Sequence, residues 1–289
     1  MKIIGVMNLM DMDKFAGYAV GSMINHVDQL YVGLGPSQDG VSELLEAIRL
    51  MVGDKLVVFP EVAKEYSPGG SSGLKNKIFD IALRDNPSWI FHLDGDHIFY
   101  PLVDLGNTLD RVKYDAGIIR THQVYLYSKD RPNGLAQESR ESLMTIVNPK
   151  KIPVDSSSFI TFINPRFYDG WSGPAHEVLH RSGGDDIAMR QFSFVHVGPL
   201  DTEDHWIKNR IHYYKIEHPE FKSDEECRNE LIQLGEIYPE GNSALRHRMR
   251  TEKVTPFTDP LPPILKNYRT GSSEEDLRNI ENYIRKGLI

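Results

Sequence analysis

The chain is poor in cysteine, in long apolar runs and in excess positive charge, and each shortage excludes a class of protein. Among 289 residues, Cys227 is the single cysteine, which excludes an internal disulfide and a cysteine-based zinc site. No apolar run approaches the ~20 residues that a membrane-spanning helix needs. The net charge of −8 argues against broad electrostatic binding to nucleic acid or anionic lipid. These features predict a cytoplasmic protein without a membrane span.

The first third of the chain alternates strand and helix patterns. Hydrophobic residues make up 40% of the sequence, enough to bury a full core. Apolar strands are predicted over residues 3–6, 29–33 and 55–59, and helices over 19–26, 44–51 and 74–83. Successive strand–helix units predict an α/β fold with a doubly wound, mostly parallel sheet, because right-handed crossovers place helices on both faces.

The next apolar strand ends in two carboxylates, in the sequence Trp89-Ile-Phe-His-Leu-Asp94-Gly95-Asp96. In extended backbone, residues two apart project to the same side, so Asp94 and Asp96 can face one ligand while Gly95 lets that ligand approach the main chain. Carboxylate oxygens suit a hard divalent cation and the diphosphate it carries. An acidic turn that closes the strand is the alternative. The strand is too apolar for a sheet edge, so we expect its tip where open α/β folds bind ligands.

Several short motifs occur in an informative order. Ser37-Gln-Asp-Gly follows the second predicted strand, Lys75-Asn76 opens a helix, and Leu93-Asp-Gly-Asp ends the acidic strand. Trp171-Ser-Gly-Pro-Ala-His-Glu, His196-Val-Gly and Lys208-Asn-Arg follow. In this order they resemble the motifs of the GT-A (Rossmann-like) fold of nucleotide-sugar glycosyltransferases, most of all family 2, over about residues 26–215.

The resemblance implies a metal-dependent transfer of a sugar from a nucleoside-diphosphate sugar, first of all a UDP-sugar, with inversion. It implies Asp94, Asp96 and His196 as ligands of Mn²⁺ or Mg²⁺, and Glu177 as the base that takes the proton of the acceptor hydroxyl. Donor contacts are expected from Asp39, Lys75, Asn76, Asp94, Gly95, Lys208 and Arg210, and acceptor-side contacts from Trp171 and His176. Family members commonly carry an acidic residue before the Ser-x-Asp-Gly loop, where this chain has Gly33-Leu-Gly-Pro. Asp39 is therefore either its substitute or a turn residue.

Several alternatives stay open at the level of sequence. Glu177 can also begin a helix, His196 can be structural, and Lys208 or Arg210 can belong to a solvated helix face. A retaining GT-A transferase, a sugar nucleotidyltransferase and a non-catalytic carbohydrate-binding protein are the other functions. The acceptor could be a glycan, a lipid-linked sugar, a protein or a modified nucleotide.

The character of the chain changes after the motifs. We expect a catalytic domain over residues 1–215 and a helical C-terminal extension over 216–289, with a Pro-rich linker near 255–263. Leu277, Ile280, Ile284 and Leu288 recur at helical spacing. This apolar face predicts packing on the catalytic domain or on a second subunit, which would make the protein a homo-oligomer.

The role of Glu177 predicts a specific kinetic defect. Glu177→Gln keeps the size of the side chain and loses its proton affinity, so we expect kcat to fall by about 10²–10⁴. Donor affinity should stay the same, because the diphosphate is expected at the metal, away from the attacking hydroxyl. Steady-state kinetics with donor titration measures both. A near-wild-type kcat would instead point to Asp155, Asp185 or Asp186.

Overall fold

A computed structural model describes most of the first hundred residues and separate segments beyond them. The described residues are 1–35, 37, 39–60, 78, 81–101, 106–107, 116–126, 135–147, 186–196, 203–218, 220–241, 243, 255–256, 262–265 and 274–287. Within these ranges, none of the helices is long and apolar enough to cross a membrane.

The described elements alternate strand and helix at the start of the chain and then become mostly strands. The strands are β1 (Ile3–Leu9), β2 (Gln29–Leu34), β3 (Leu56–Phe59), β4 (Trp89–Asp94), β5 (His97–Pro101), β6 (Ala116–Leu126), β7 (Leu135–Val147), β8 (Asp186–His196) and β9 (Thr255–Pro256). The helices are α1 (Asp13–Ile24), α2 (Val41–Val52), α3 (Glu203–Glu217), α4 (Asp224–Gln233) and α5 (Glu274–Lys286), with short 3-10 turns at Gly53–Lys55 and Pro263–Leu265.

The chain divides into two compact units. The first comprises residues 1–121, 140–195 and 261–289, and the second comprises residues 122–139 and 196–260. Residues 261–289 thus group with the first unit, and the expected domain boundary near residue 215 stays a prediction.

The first unit is a mixed α/β fold whose parallel strands have the order β3-β2-β1-β4. β7 joins β4 in antiparallel pairing, and the sheet order continues through β6 and β8 to β5. The chain builds outward from β1 to β2 and β3, then returns to place β4 on the other side of β1. The strand order therefore reverses between β1 and β4, and the carboxyl ends of these two strands flank a topological switch point.

Helix α1 begins six residues before the predicted start at residue 19. Almost every side chain from Phe15 to Ile24 is buried, so the helix lacks the polar face from which helices are recognised in sequence. On one side it packs against α2, where a Cβ on Gly17 would lie 3.3 Å from Leu44 Cδ1. On another side, Ser22 Oγ accepts a hydrogen bond from Phe99 N at 3.0 Å and anchors β5.

The C-terminal helix α5 packs on α1 within the first unit. Tyr18 and Asp276, both fully buried, form a very short hydrogen bond between the phenol and the carboxylate. Asn25 Nδ2 donates to the carbonyl of Ile284 at 3.1 Å. Ile280 is buried where Gly17 leaves room for it. The apolar face that suggested a homo-oligomer thus makes contacts inside the chain, and a second subunit stays a prediction.

A polar network joins the amino-terminal ends of β1, β2 and β4. Asp85 accepts hydrogen bonds from Lys2 Nζ at 2.8 Å and from Tyr31 Oη at 2.6 Å. These two partners lower the pKa of Asp85. Burial, followed by the hydrogen bond and the charge of Asp85, raises the pKa of Tyr31 to about 12. The phenol therefore stays protonated at neutral pH and holds Asp85 at the end of the sheet opposite the switch point.

The second unit contains a helical pair built around a small apolar core. This core contains Ile207, Ile211 and Tyr214 of α3, Cys227 and Leu231 of α4, and Ile237, which follows α4. Ser223 and Glu226 form a reciprocal capping box that starts α4. At its other end, the pair is held by Ser243 N, which donates to the Glu203 carboxylate at 3.0 Å.

The hydrogen bonds of Tyr18 and Tyr31 predict different stability losses for the same substitution. Tyr18→Phe leaves the fully buried Asp276 carboxylate without this donor and should lower the free energy of unfolding by about 1–3 kcal/mol. Tyr31→Phe is the matched control, since Asp85 is partly exposed and water can replace the phenol; about 0.5–1 kcal/mol is expected. Urea denaturation measures both variants. Equal losses would contradict a special role of the Tyr18–Asp276 pair.

Candidate functional site

The Asp94-Gly95-Asp96 turn lies at the switch point of the sheet. Asp94 ends β4 and pairs in register with Asn8 of β1, while Gly95 and Asp96 form the turn that leads into β5. The Asp94 side chain is 31% exposed and that of Asp96 is 18% exposed. Both carboxylates are thus partly desolvated and still reachable by a ligand.

Gly95 is glycine because the end of the first strand packs directly against it. A Cβ at this position would collide with Leu9 Cδ2, and it would lie 2.7 Å from Met12 Sδ and 3.4 Å from the Asn8 carbonyl. The side-chain direction of Gly95 is therefore filled by protein. Close packing against Leu9 and Met12 thus requires glycine here, and the approach of a ligand to the main chain of Gly95 stays a prediction.

His97 lies between the two carboxylates of the turn. Its Nδ1 atom is 3.6 Å from Asp94 Oδ2 and 3.6 Å from Asp96 Oδ1. These distances exceed hydrogen-bond length but allow an electrostatic contact. One imidazole edge thus faces both acidic groups. The backbone between them is a turn and not the extended strand on which the sequence expectation rested.

The Ser-x-Asp-Gly loop ties the end of β2 to the end of β1. Asp11 N donates to Ser37 Oγ at 3.2 Å, and Asp13 N donates to Asp39 Oδ2 at 2.7 Å. Ser37 and Asp39, which lie two residues apart, thus bind Asp11 and Asp13, which also lie two residues apart. Asp11 has a φ of +50°, a left-handed conformation that aspartate adopts more readily than most residues. The loop thereby holds a strained segment next to the switch point.

Asp39 uses its oxygens for structure. Besides Asp13 N, its carboxylate accepts from Val41 N at 3.1 Å at the start of α2. Burial raises the pKa of Asp39, the two backbone hydrogen bonds oppose this, and the charges of Asp13 and Asp11 raise the pKa further. These hydrogen bonds support the interpretation of Asp39 as a turn residue, and a contact of Asp39 with the sugar donor stays a prediction.

The carboxyl edge of the parallel strands is strongly acidic. Its described carboxylates belong to Asp11, Asp13, Asp39, Asp94 and Asp96. No cluster of three or more His, Cys, Asp or Glu side chains within the described ranges forms a complete metal site. Mg²⁺ commonly takes one or two protein carboxylates and completes its shell with phosphate oxygens and water, so Asp94 and Asp96 are the residues that could hold such an ion.

The predicted basic residues lie in the second unit. Lys208 is exposed on α3. Arg210 donates from Nε to Glu236 Oε2 at 2.6 Å, and its terminal nitrogen makes a still closer ion pair with the same oxygen. The charge of Arg210 is thus balanced by Glu236 in this structure. Contacts of either residue with a donor stay predictions.

The remaining predicted site residues cannot be placed in this way. Lys75, Asn76, Trp171, His176 and Glu177 lie outside the described residues. His196 is the last residue of β8, and the description of that strand is limited to its backbone.

Sequence reasoning missed four polar residues that the fold brings to the edge, namely Asn8, Asp11, Asp13 and His97. Asn8, Asp11 and Asp13 were missed because the end of β1 was predicted too early. The strand was expected to end at residue 6, but it continues to Leu9. With the correct end, Asn8 lies near the end of the strand, Asp11 falls in the loop that binds ligands in open α/β folds, and Asp13 is the first residue of α1. The position of His97 directly after Asp96 was the available signal for the fourth.

In comparisons with known proteins, no family model and no curated protein matches the chain. The fold alone defines the class of the protein. It is an α/β protein with a Rossmann-like parallel core of four strands and an acidic switch point.

The packing of Gly95 predicts that even a methyl group disrupts the site. Gly95→Ala should lower the free energy of unfolding by about 1–3 kcal/mol, because Leu9 and Met12 must move away. Gly40→Ala is the matched control, since its Cβ would lie 3.9 Å from the nearest atom outside its own turn, Asp13 Oδ2. Thermal denaturation followed by circular dichroism measures both. An unchanged melting temperature for Gly95→Ala would refute the close packing.

Proposed function

We propose that the protein is a metal-dependent glycosyltransferase of the GT-A type, which transfers a sugar from a nucleoside-diphosphate sugar with inversion. The observation that carries the proposal is the position of Asp94-Gly95-Asp96 at the switch point between β1 and β4. Open α/β sheets bind their ligands at this point. The resemblance of the motif order to family 2 supplies the reaction type.

The charge of the edge supports a requirement for a cation. Asp94 and Asp96 would repel a diphosphate that approached alone, and three more carboxylates surround the neighbouring loops. A divalent ion held by Asp94 and Asp96 reverses the local sign and offsets the charge of the leaving diphosphate. Mn²⁺ and Mg²⁺ are the proposed ions, because the donors are carboxylate oxygens. His196 is proposed as a further ligand on the resemblance alone.

The chemistry at the acceptor is assigned by resemblance. Glu177 is proposed to take the proton of the acceptor hydroxyl as that oxygen attacks the anomeric carbon. The bond from the anomeric carbon to the diphosphate then breaks, and the diphosphate leaves with the electron pair. Anomeric analysis of the product by NMR distinguishes this inverting reaction from the retaining alternative.

Asp96→Asn tests the proposal at the turn. In wild-type protein, UDP with Mn²⁺ should stabilise the fold by about 2.7 kcal/mol at 100 times the dissociation constant. Asp96→Asn should abolish this stabilisation and any hydrolysis or transfer, because a cation ligand is lost. Asp54→Asn is the matched control, since Asp54 is exposed in the turn Gly53–Lys55, at the opposite end of the sheet. Thermal-shift assays over a panel of nucleotide sugars, with and without Mn²⁺, provide the measurement.

Two outcomes would contradict the proposal in different ways. Full activity of the purified protein in excess EDTA would remove the metal from the reaction. Binding of a nucleotide sugar without any turnover, over the whole panel of donors and with acceptors of the four proposed kinds, would favour a non-catalytic carbohydrate-binding protein instead.

A further inference from the structure

Asn8 shares one face of the sheet with Asp94 at the switch point. The two residues are register partners in neighbouring parallel strands, and register partners project from the same face. On its other side, Asn8 is the partner of Gly33, which has no side chain. The next residue in this row is Phe59 of β3, the partner of Gly33. The carboxamide therefore lies beside the carboxylate, next to a position where β2 contributes no side chain.

The carboxamide nitrogen of Asn8 is buried in an unfavourable state. Nδ2 itself is buried, although Asn8 is the one residue of β1 that is partly exposed, and the structure records no hydrogen-bond partner for this atom in the described part of the chain. Buried amide donors are nearly always paired in native proteins, because a donor that loses its hydrogen bonds to water and gains none in the protein destabilises the fold. Asn25 provides the contrast, since its Nδ2 atom is satisfied by the Ile284 carbonyl.

The position of this donor suggests its partner. Asp94 and Asp96 can only accept hydrogen bonds when ionised, so they contact a diphosphate through a cation. Asn8 can contact the same diphosphate directly, because its amide donates without adding charge. We infer that Asn8 is a ligand-binding residue whose Nδ2 donates a hydrogen bond to a diphosphate oxygen of the nucleotide sugar. The inference rests on the proposed function and adds to it a direct, metal-independent phosphate contact.

The test compares Asn8→Leu with Asn25→Leu, using two measurements. Asn8→Leu replaces the amide by an apolar group of similar size, so the stability of the ligand-free protein should be unchanged or higher. Its affinity for UDP with Mn²⁺ should fall by about 10- to 100-fold, the effect of losing one hydrogen bond to a charged group. Asn25→Leu should show the opposite pattern, with lower stability and unchanged affinity. Urea denaturation and isothermal titration calorimetry supply the two values.

A second variant and a second ligand sharpen the result. Asn8→Val is the second variant: it also lacks the amide donor and adds no charge, so its affinity for UDP with Mn²⁺ should fall as far as that of Asn8→Leu. Uridine lacks phosphate, and its affinity should be the same for wild type and Asn8→Leu. An equal loss for uridine would place the contact on the nucleoside and overturn the assignment.

The failure of the inference and the failure of the proposed function give different results. Undiminished binding of UDP with Mn²⁺ by Asn8→Leu, or a stability loss as large as that of Asn25→Leu, would overturn the role of Asn8 alone. Absence of UDP binding by the wild-type protein, with Mn²⁺ present, would overturn the proposed function as well.

Discussion

The parallel pairing of β1 with β2 on one side and β4 on the other is the constraint on which the site depends. It sets Asn8 level with Gly33 and Asp94, so that three strand ends meet in one row. A shift of either register by one residue would turn these side chains to the opposite face. The buried apolar residues of β1, Ile4, Val6 and Met7, oppose any such shift, because they would have to leave the core or exchange faces. The backbone hydrogen bonds that pair β1 with β2 and β4 thus set both the core packing and the geometry of the site.

Backbone donors hold the loops together at this edge. Ser37 and Asp39 each accept from a main-chain N–H of the β1–α1 loop. The hydroxyl of Ser37 and the carboxylate of Asp39 thus satisfy main-chain donors next to the end of β1. This arrangement differs from that at the amino-terminal end of the sheet, where Lys2 balances Asp85. At one end of the sheet a carboxylate is held by side-chain donors, and at the other end side chains hold the main chain.

The sequence predicted the parallel core well because its strands are short, apolar runs separated by recognisable loops. The strand-end position of Asp94 followed from the apolar run before it. The start of α1 could not be predicted in this way, since a helix that is buried on nearly all sides has no polar stripe. The ion pair of Arg210 with Glu236 depends on how α3 and the residues after α4 come together, which local patterns do not encode. The sequence predicted that the C-terminal helix packs on the catalytic domain or on a second subunit, but it did not identify α1 as the partner helix. The Tyr18–Asp276 pair joins residues 258 positions apart, and local patterns do not reveal such a contact.

That separation has a consequence for how the protein is made. Helix α1 lies at the centre of the first unit, yet one of its sides is covered by α5 and by the turn that contains Ile264. During synthesis, Tyr18 leaves the ribosome long before Asp276 exists, so this side of α1 must wait uncovered while the intervening residues are translated. Contacts of such long range slow folding and prolong the exposure of apolar surface. The nascent chain therefore keeps an apolar side of α1 exposed until α5 has emerged.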